Sequence, residues 1–242
     1  MSQVEVTLAD WIVFIINNNF DASLFPAIDM PNLTRLILND LKKGNASNYF
    51  KIFENSKALK KIYGSKGFRI SHKKLDSLFK AEPNYFSLLI PITGISFEQA
   101  TKFCKWKEDV INLNQQVKIK VSLPSMAIYA KVITNIDSVC QKKCDSCKQY
   151  ELNCISANCF GAAKSKIDKS QGVSLVRADS YWPTDDELYC IQGNAAEMTS
   201  TEGVAMGGSF RHYARESFND KIQAYKKAED WLGFRYVVTL KQ

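Results

Sequence analysis

Two stretches of the chain combine a helix-start signal with apolar residues at three- and four-residue intervals, which is the spacing of one helical face. In the first, Thr7 and Asp10 form a capping pair before a helix that the asparagines at 17–19 end. Its predicted inward face consists of Leu8, Trp11, Ile12 and Ile15. In the second, Ser96 and Gln99 form a capping box for a helix over 97–112, with core-facing residues Phe97, Ala100, Phe103 and Cys104.

Weaker patterns extend this assignment along the chain. Residues 3–6 and 118–123 alternate between polar and apolar side chains, and we expect both to be strands. Further helices are predicted over 31–41, 48–63 and 71–80. Ser125 caps one more helix, which runs through Tyr129 and Val132. Helices and short strands therefore alternate from one end of the chain to the other.

Composition excludes several classes of protein. With 242 residues, of which 45% are hydrophobic, the chain can bury a sizeable core, and we expect one domain. The formal charge of +7 comes from dispersed lysines, so we expect no nucleic-acid interface. No apolar run approaches the ~20 residues of a membrane span. The N-terminus lacks the pattern of a signal peptide. We expect either an exported or envelope-associated protein whose export segment was removed upstream, or a cytoplasmic protein.

Five of the seven cysteines are clustered in one short stretch. Their spacing allows two arrangements, a four-thiolate zinc site or a disulfide framework in which Cys190 supplies the partner from outside the cluster. Free thiols in a reducing cytosol rank third because clustered thiols oxidise readily. Zinc and disulfides both remain open, and the redox compartment would distinguish them. The clustered residues are Cys140, Cys144, Cys147, Cys154 and Cys159.

Three glycine-containing motifs follow one another in the last quarter of the chain. They are Gly193-Asn194-Ala195-Ala196-Glu197, Gly207-Gly208-Ser209-Phe210 and Gly233-Phe234-Arg235. In this order they resemble the formylglycine-generating enzyme (sulfatase-modifying factor) family, and upstream motifs at 4–11, 91–106 and 123–129 are similar to that family too. The resemblance implies a compact α+β fold, related to C-type lectins, with much irregular loop and an N-terminal helical elaboration. One domain would span 1–242, with a helical insertion at 20–90 and a Cys-rich insertion at 135–180.

The resemblance also bears on activity. Family enzymes activate oxygen on copper held by two cysteines, and those positions fall on His212 and Ser217 here, while no cysteine follows Cys190. We therefore expect a non-catalytic binding or structural protein. Such relatives include envelope components of gliding and secretion machinery, and the motif variant resembles forms found in the Bacteroidota. The alternative is an oxidoreductase of the same type with displaced metal ligands.

A calcium site is the second property that the resemblance implies. Its ligands would be the residue at Cys190, the carbonyls of Gly193 and Ala195, and the carboxylate of Glu197. Cysteine replaces an oxygen ligand there, which calcium does not favour. The alternative is that Asn194 and Glu197 pin the loop through hydrogen bonds. The sequence thus establishes no cofactor, and calcium and zinc are the two candidates.

The resemblance places the ligand-binding face within residues 210–232. Exposed Arg and aromatic side chains on a rigid scaffold carry binding energy, and a protein or glycan ligand is expected there. The alternative is that the aromatic residues pack into the core, which we favour for Trp231. The candidate binding residues are Arg211, His212, Tyr213, Arg215 and Tyr225.

Overall fold

The computed structural model describes residues 1–19, 21–27, 89–113, 115–132, 175–180, 183–184, 186–212 and 221–241. All of them belong to one compact unit, which comprises Met1–Pro31 and Leu89–Gln242. These residues form a mixed α+β structure with small sheets. The remaining unit is Asn32–Leu88. The helices predicted at 31–41, 48–63 and 71–80 lie outside the described residues. The extent of the single domain and of its two insertions stays a prediction.

The first helix begins where the capping pair predicts. Helix α1 spans Leu8–Asn17. The Asp10 amide donates to Oγ1 of Thr7 at 3.3 Å, and the Thr7 amide donates to Oδ2 of Asp10 at 3.1 Å, which satisfies two N–H groups at the helix start. The predicted inward face is confirmed, because all four of its side chains are fully buried. A short 3₁₀ helix, Ala22–Leu24, follows.

The second predicted helix is also confirmed. Helix α2 spans Phe97–Asn112 and has the complete capping box of Ser96 and Gln99. The amide group of Gln99 also donates to the carbonyls of Ser23 and Phe25, so the cap ties α2 to the 3₁₀ turn. Of the predicted core-facing residues, Phe97 is only half-buried because it occupies the first turn, and the other three are buried.

The strands form two small sheets. Strand β1 (Ile119–Ser122) pairs antiparallel with β6 (Val237–Leu240), which confirms the strand predicted at 118–123. The second sheet consists of β2 (Ala196–Met198), β3 (Val204–Met206), β4 (Gln223–Ala224) and β5 (Leu232–Gly233). Their order in the sheet is β4-β3-β2-β5. The β2–β3 and β3–β4 pairs are antiparallel, whereas β2 and β5 are parallel.

Two local predictions have a more limited outcome. Residues 3–6 do not form a strand, but the Val6 amide donates to the Phe234 carbonyl and the Val6 carbonyl accepts the Ile92 amide, both at 2.9 Å. Residues 126–132 are helical, and Oγ of Ser125 accepts the Ile128 amide at 3.3 Å, as the cap predicts. We label this helix α3.

An aromatic cluster joins these elements. Trp11 and Phe14 of α1 pack against Phe103 of α2, and Phe234, which follows β5, contacts Trp11 and Phe103 edge-to-face. Ring centroids lie 5.0–6.1 Å apart in these pairs, a separation at which aromatic pairs stabilise a core beyond their buried area.

In the described part of the chain, no helix has the length and apolarity needed to cross a membrane.

Candidate functional site

Gly207 allows the loop after β3 to press against neighbouring backbone. Its φ is +85°, in the left-handed region, and a Cβ at this position would lie 2.6 Å from the Ile191 carbonyl oxygen. The Gly207 carbonyl accepts the amide of Gly193 at 2.8 Å. The two glycine motifs of the sequence are therefore joined directly, and the loop that follows Gly207 starts from a fixed position.

A second set of hydrogen bonds fixes the turn at 209–212. The Phe210 amide donates to the Asn194 carbonyl at 3.0 Å. Oγ of Ser209 accepts the Arg211 amide at 3.2 Å and lies 2.7 Å from Nδ1 of His212. Ser209 itself is fully buried. Its hydroxyl thus orients the His212 imidazole and, through these hydrogen bonds, stabilises the turn at 209–212.

The side chains above this turn form a small surface, which we call the 211–231 face and define as Arg211, His212, Asp230 and Trp231. Arg211 forms an ion pair with Asp230 while its side chain remains 56% exposed. The His212 ring meets Trp231 edge-to-face, with centroids 4.8 Å apart. Trp231 is half-buried on an apolar base of Leu175, Ala195 and Phe210. The face therefore presents a cation and two rings on a packed support.

The structure separates the predicted binding residues. Arg211 and His212 lie together on the 211–231 face, whereas Tyr213 and Arg215 lie outside the described residues. Tyr225 is buried at 8% exposure, and its amide donates to the Gly203 carbonyl, so its place on a binding surface stays a prediction that this burial does not favour. Asp230 was not predicted. No short-range signal in the sequence indicates it, because its partner Arg211 lies 19 residues earlier in the chain.

Behind the face lies a buried charge cluster of Glu5, Glu197 and Arg235, and all three side chains are fully buried. Arg235 donates to both carboxylate oxygens of Glu197 at 2.6 Å. The same guanidinium donates to the carbonyls of Ser2, Gln3 and Tyr189, which ties the N-terminal segment to the 189 loop. Arg235 therefore joins three segments that are distant in sequence.

The cluster contains two carboxyl groups and one guanidinium. Burial raises the pKa of Glu5 well above its usual value, and the charge of Glu197 raises it further. Burial lowers the pKa of Arg235, but the charge and hydrogen bonds of Glu197 outweigh this effect, so the pKa of Arg235 is raised. Burial and the charge of Glu197 therefore favour the protonated form of Glu5.

This geometry bears on the predicted calcium site. Both oxygens of Glu197 contact Arg235, so a calcium ion would have to displace a guanidinium. Asn194 does pin the loop: its Oδ1 accepts the Val176 amide at 3.0 Å, and its Nδ2 donates to Glu5 at 3.1 Å. Within the described ranges, no three His, Cys, Asp or Glu side chains are grouped so that they could hold a metal ion. The calcium site, including Gly193 and Ala195, stays a prediction that these contacts do not favour.

The structure describes Cys104 and Cys190 and therefore bears on only part of the cysteine predictions. Cys104 is buried on α2, as expected for a core residue, and burial raises the pKa of its thiol to about 12. Cys190 is buried with a φ of +49°, and its Sγ lies 3.9 Å from the Arg177 carbonyl oxygen. The clustered cysteines at 140–159 lie outside the described residues. Zinc and disulfides both stay predictions.

Comparison with known proteins gives a distant structural likeness. No protein-family model matches the chain, and no curated protein matches it. Among solved structures, PvdO from Pseudomonas aeruginosa is similar to 68% of this chain, over 75% of its own length, with 14% sequence identity and a TM-score of 0.45. A likeness at this level assigns neither a family nor an activity.

Proposed function

We propose that this chain is a non-catalytic binding or structural protein built on the formylglycine-generating-enzyme type of fold, and that the 211–231 face binds its protein or glycan ligand. The observation that carries the proposal is the exposed Arg211 held by Asp230 beside the paired rings of His212 and Trp231. A placement in the cell envelope belongs to the same proposal and rests on the motif resemblance alone.

The motifs behind the family proposal occupy positions where their residue types are required. A Cβ on Gly233 would lie 2.7 Å from the Ile92 carbonyl oxygen, so only glycine fits there. Asn194 adopts a left-handed φ of +60° while its side chain is fully buried and hydrogen-bonded. Glu197 pairs with Arg235, so the first and third motifs of the resemblance depend on each other. These contacts support a common fold without specifying an activity.

The chemistry of the face suits recognition. A guanidinium can donate two parallel hydrogen bonds to a carboxylate, and indole rings pack against sugar or side-chain surfaces. Because Asp230 and the turn of Ser209 restrain the rotamers of Arg211 and His212, little conformational entropy would be lost on binding. A pre-organised surface of this kind favours a carboxylate-bearing glycan or peptide.

The hydrogen bonds of Ser209 do not favour the alternative function, an oxidoreductase with displaced metal ligands. Ser209 is buried and its hydroxyl is engaged by Arg211 and His212, so its role is to support the turn. His212 occupies one of the positions of the family's copper-binding cysteines, and imidazole is a copper ligand. The other position, Ser217, lies outside the described residues. Copper binding is therefore the feature that distinguishes the two functions.

The binding proposal is tested with an array of acidic glycans and acidic peptides, probed with the full chain and two variants. We expect Arg211→Ala and Trp231→Ala each to weaken any binding at least about tenfold, as for central interface residues. Lys102→Ala is the matched control, because it removes a surface cation that is likewise ion-paired, to Glu98 on α2. Equal loss in the control, or binding that both face variants retain, would contradict the proposal.

The catalytic alternative has its own test. Copper(I) titration is combined with an oxygen-consumption assay on a cysteine-containing peptide. We expect neither stoichiometric copper binding nor turnover. One equivalent of copper that is lost in His212→Ala, together with oxygen consumption by the native chain, would favour the oxidoreductase instead.

A further inference from the structure

The two-stranded sheet of β1 and β6 has outward-facing backbone groups on both edges. The Lys241 amide donates to the Lys118 carbonyl at 3.0 Å, and Ile119 is paired with Leu240. In an antiparallel ladder, hydrogen-bonded and non-hydrogen-bonded pairs alternate. The residues whose N–H and C=O groups point away from the partner strand are therefore Ile119 and Val121 on β1, and Val238 and Leu240 on β6.

Side chains of α2 close the outer edge of β1. Asn112 accepts the Ile119 amide at 2.9 Å and donates to the Ile119 carbonyl at 2.8 Å. Glu108 accepts the Val121 amide at 2.9 Å. An edge protected in this way cannot pair with another strand.

The outer edge of β6 is closed only at its start. There, the Ser2 amide donates to the Tyr236 carbonyl at 2.7 Å. Beyond Tyr236, within the described part of the chain, no hydrogen bond reaches the outward N–H and C=O groups of Val238 and Leu240. Their side chains are 44% and 71% exposed, whereas Val121, directly opposite Val238, is buried. On this apolar face of the sheet, Val121 of β1 is therefore buried, whereas Val238 and Leu240 of β6 are exposed to solvent.

We propose that β6 pairs antiparallel with β6 of a second copy of this chain, on a two-fold axis at Thr239. In this register Val238 of one copy faces Leu240 of the other, and the pair exchanges both of its backbone hydrogen bonds. The two-fold axis repeats the exchange, so every open group of the edge gains a partner. The exposed Val238 and Leu240 side chains become cross-strand neighbours on one apolar face.

We choose a second copy of the chain as the partner because the outer edge of β6 is complementary to itself. Lys241 lies opposite Val237 of the other copy, so no like charges meet directly, and Lys241 is already paired with Glu108. Lys120, which is opposite Thr239 in the β1–β6 pair, is separated from its symmetry mate by three strand spacings, about 14 Å. That distance exceeds the screening length at physiological salt. The edge is short compared with a standard interface, so the dimer is a weak one.

Sedimentation velocity of the full chain, between about 5 and 500 µM and with reducing agent to remove disulfide-linked species, tests the proposal. Two variants alter only the outward edge. Val238→Pro removes an N–H that points away from β1, and Leu240→Lys adds a charge to a side chain that is 71% exposed. Ile222→Lys makes the same apolar-to-charged change at an exposed residue before β4 and is the matched control.

We expect a concentration-dependent dimer in the native chain and in Ile222→Lys, and a dissociation constant raised at least tenfold in both edge variants. Amide exchange gives a second readout: protection of Val238 and Leu240 should rise with protein concentration, while Thr239, which bonds within the β1–β6 ladder, should not change. If the proline variant fails to fold, the lysine variant decides. A native chain that stays monomeric throughout, or a dimer that both variants leave intact, overturns the proposal.

Discussion

Glu5 and Glu197 lie equally deep in the core, yet the same Glu→Gln change should have different consequences at the two positions. Each side chain is fully buried near Arg235. Glu197 binds the guanidinium through both oxygens, whereas the carboxyl of Glu5 accepts the Asn194 side-chain amide at 3.1 Å and the Ala195 amide at 3.3 Å. One cation thus faces two carboxyl groups, and it directly pairs with only one of them.

Breaking a buried ion pair typically costs about 3–5 kcal/mol, because the remaining charge has no partner. Glu197→Gln should lose a free energy of unfolding of that order, a large share of the ~5–15 kcal/mol of an ordinary domain. Glu5→Gln replaces a protonated carboxyl by a neutral amide of similar shape. We expect it not to destabilise the chain at pH 7, and to change the free energy of unfolding by no more than about 1 kcal/mol below pH 4.5, where the carboxyl is neutral in the folded and the unfolded chain.

The pH dependence provides a second measurement. Because the pKa of Glu5 is raised in the folded state, its proton stabilises the fold fully below its ordinary pKa of 4.5. That stability is lost as the pH rises toward the folded-state pKa, at up to about 1.4 kcal/mol per pH unit. Glu5→Gln removes this dependence, so its stability relative to the native chain should improve as the pH rises above 4.5.

Guanidinium denaturation of both variants and the native chain, at several pH values, measures these differences. The three curves also report whether the slope with denaturant changes, which would indicate an altered unfolded state. If Glu5→Gln destabilises the chain at pH 7 as much as Glu197→Gln does, Glu5 is an ionised partner of Arg235 and the proton assignment is wrong.

Further predictions concern glycines, a cap and an ion pair. Gly203→Ala and Gly207→Ala place a side chain at nearly the same φ, +83° and +85°, so each should lose about 1–2 kcal/mol to strain. Gly207→Ala should lose a further ~1–3 kcal/mol from its clash, and equal melting temperatures would contradict this. Gly208→Val, at φ +67°, should be destabilised by about 1–3 kcal/mol in the same denaturation assay. Ser96→Ala should cost about 1 kcal/mol, measured by thermal melting, through loss of the α2 cap. Glu108 accepts hydrogen bonds from Lys241 and from the Val121 amide, which lower its pKa to about 2, so it stabilises the fold above about pH 4.5 and less as the pH falls toward 2. Glu108→Gln should flatten that acid limb of the stability curve.

Local signals predicted the helices because helix starts are decided within a few residues. The pairs Thr7–Asp10 and Ser96–Gln99 are three residues apart in sequence, and each makes its capping hydrogen bonds without help from the rest of the fold. Strand β1 was predictable for a similar reason, since its alternation is visible in the sequence. Pairing of β1 with β6 was not, because the two strands are separated by more than a hundred residues.

The candidate site was less predictable than the fold. Arg211 and His212 were identified because they follow a glycine motif, which is a local feature. Asp230 becomes the partner of Arg211 only when the chain returns after β4, so no short-range pattern indicates it. Tyr225 was predicted on the binding surface although it is buried, because aromatic residues serve equally well in a core and on a surface and the sequence does not show which of them are buried.

The buried cluster explains why resemblance in this chain indicates fold more readily than activity. Arg235 bonds to Glu197 and to the backbone of two distant segments, at Ser2–Gln3 and at Tyr189, and a change at Arg235 would disrupt all of these contacts. Arg211 and Asp230, in contrast, bond at the surface and could be replaced without disturbing β2 or β5. Residues that hold the scaffold are therefore constrained to be recognisable, while residues that determine the ligand can vary independently above it. Function on such a scaffold has to be established at the 211–231 face itself, by measuring what binds there.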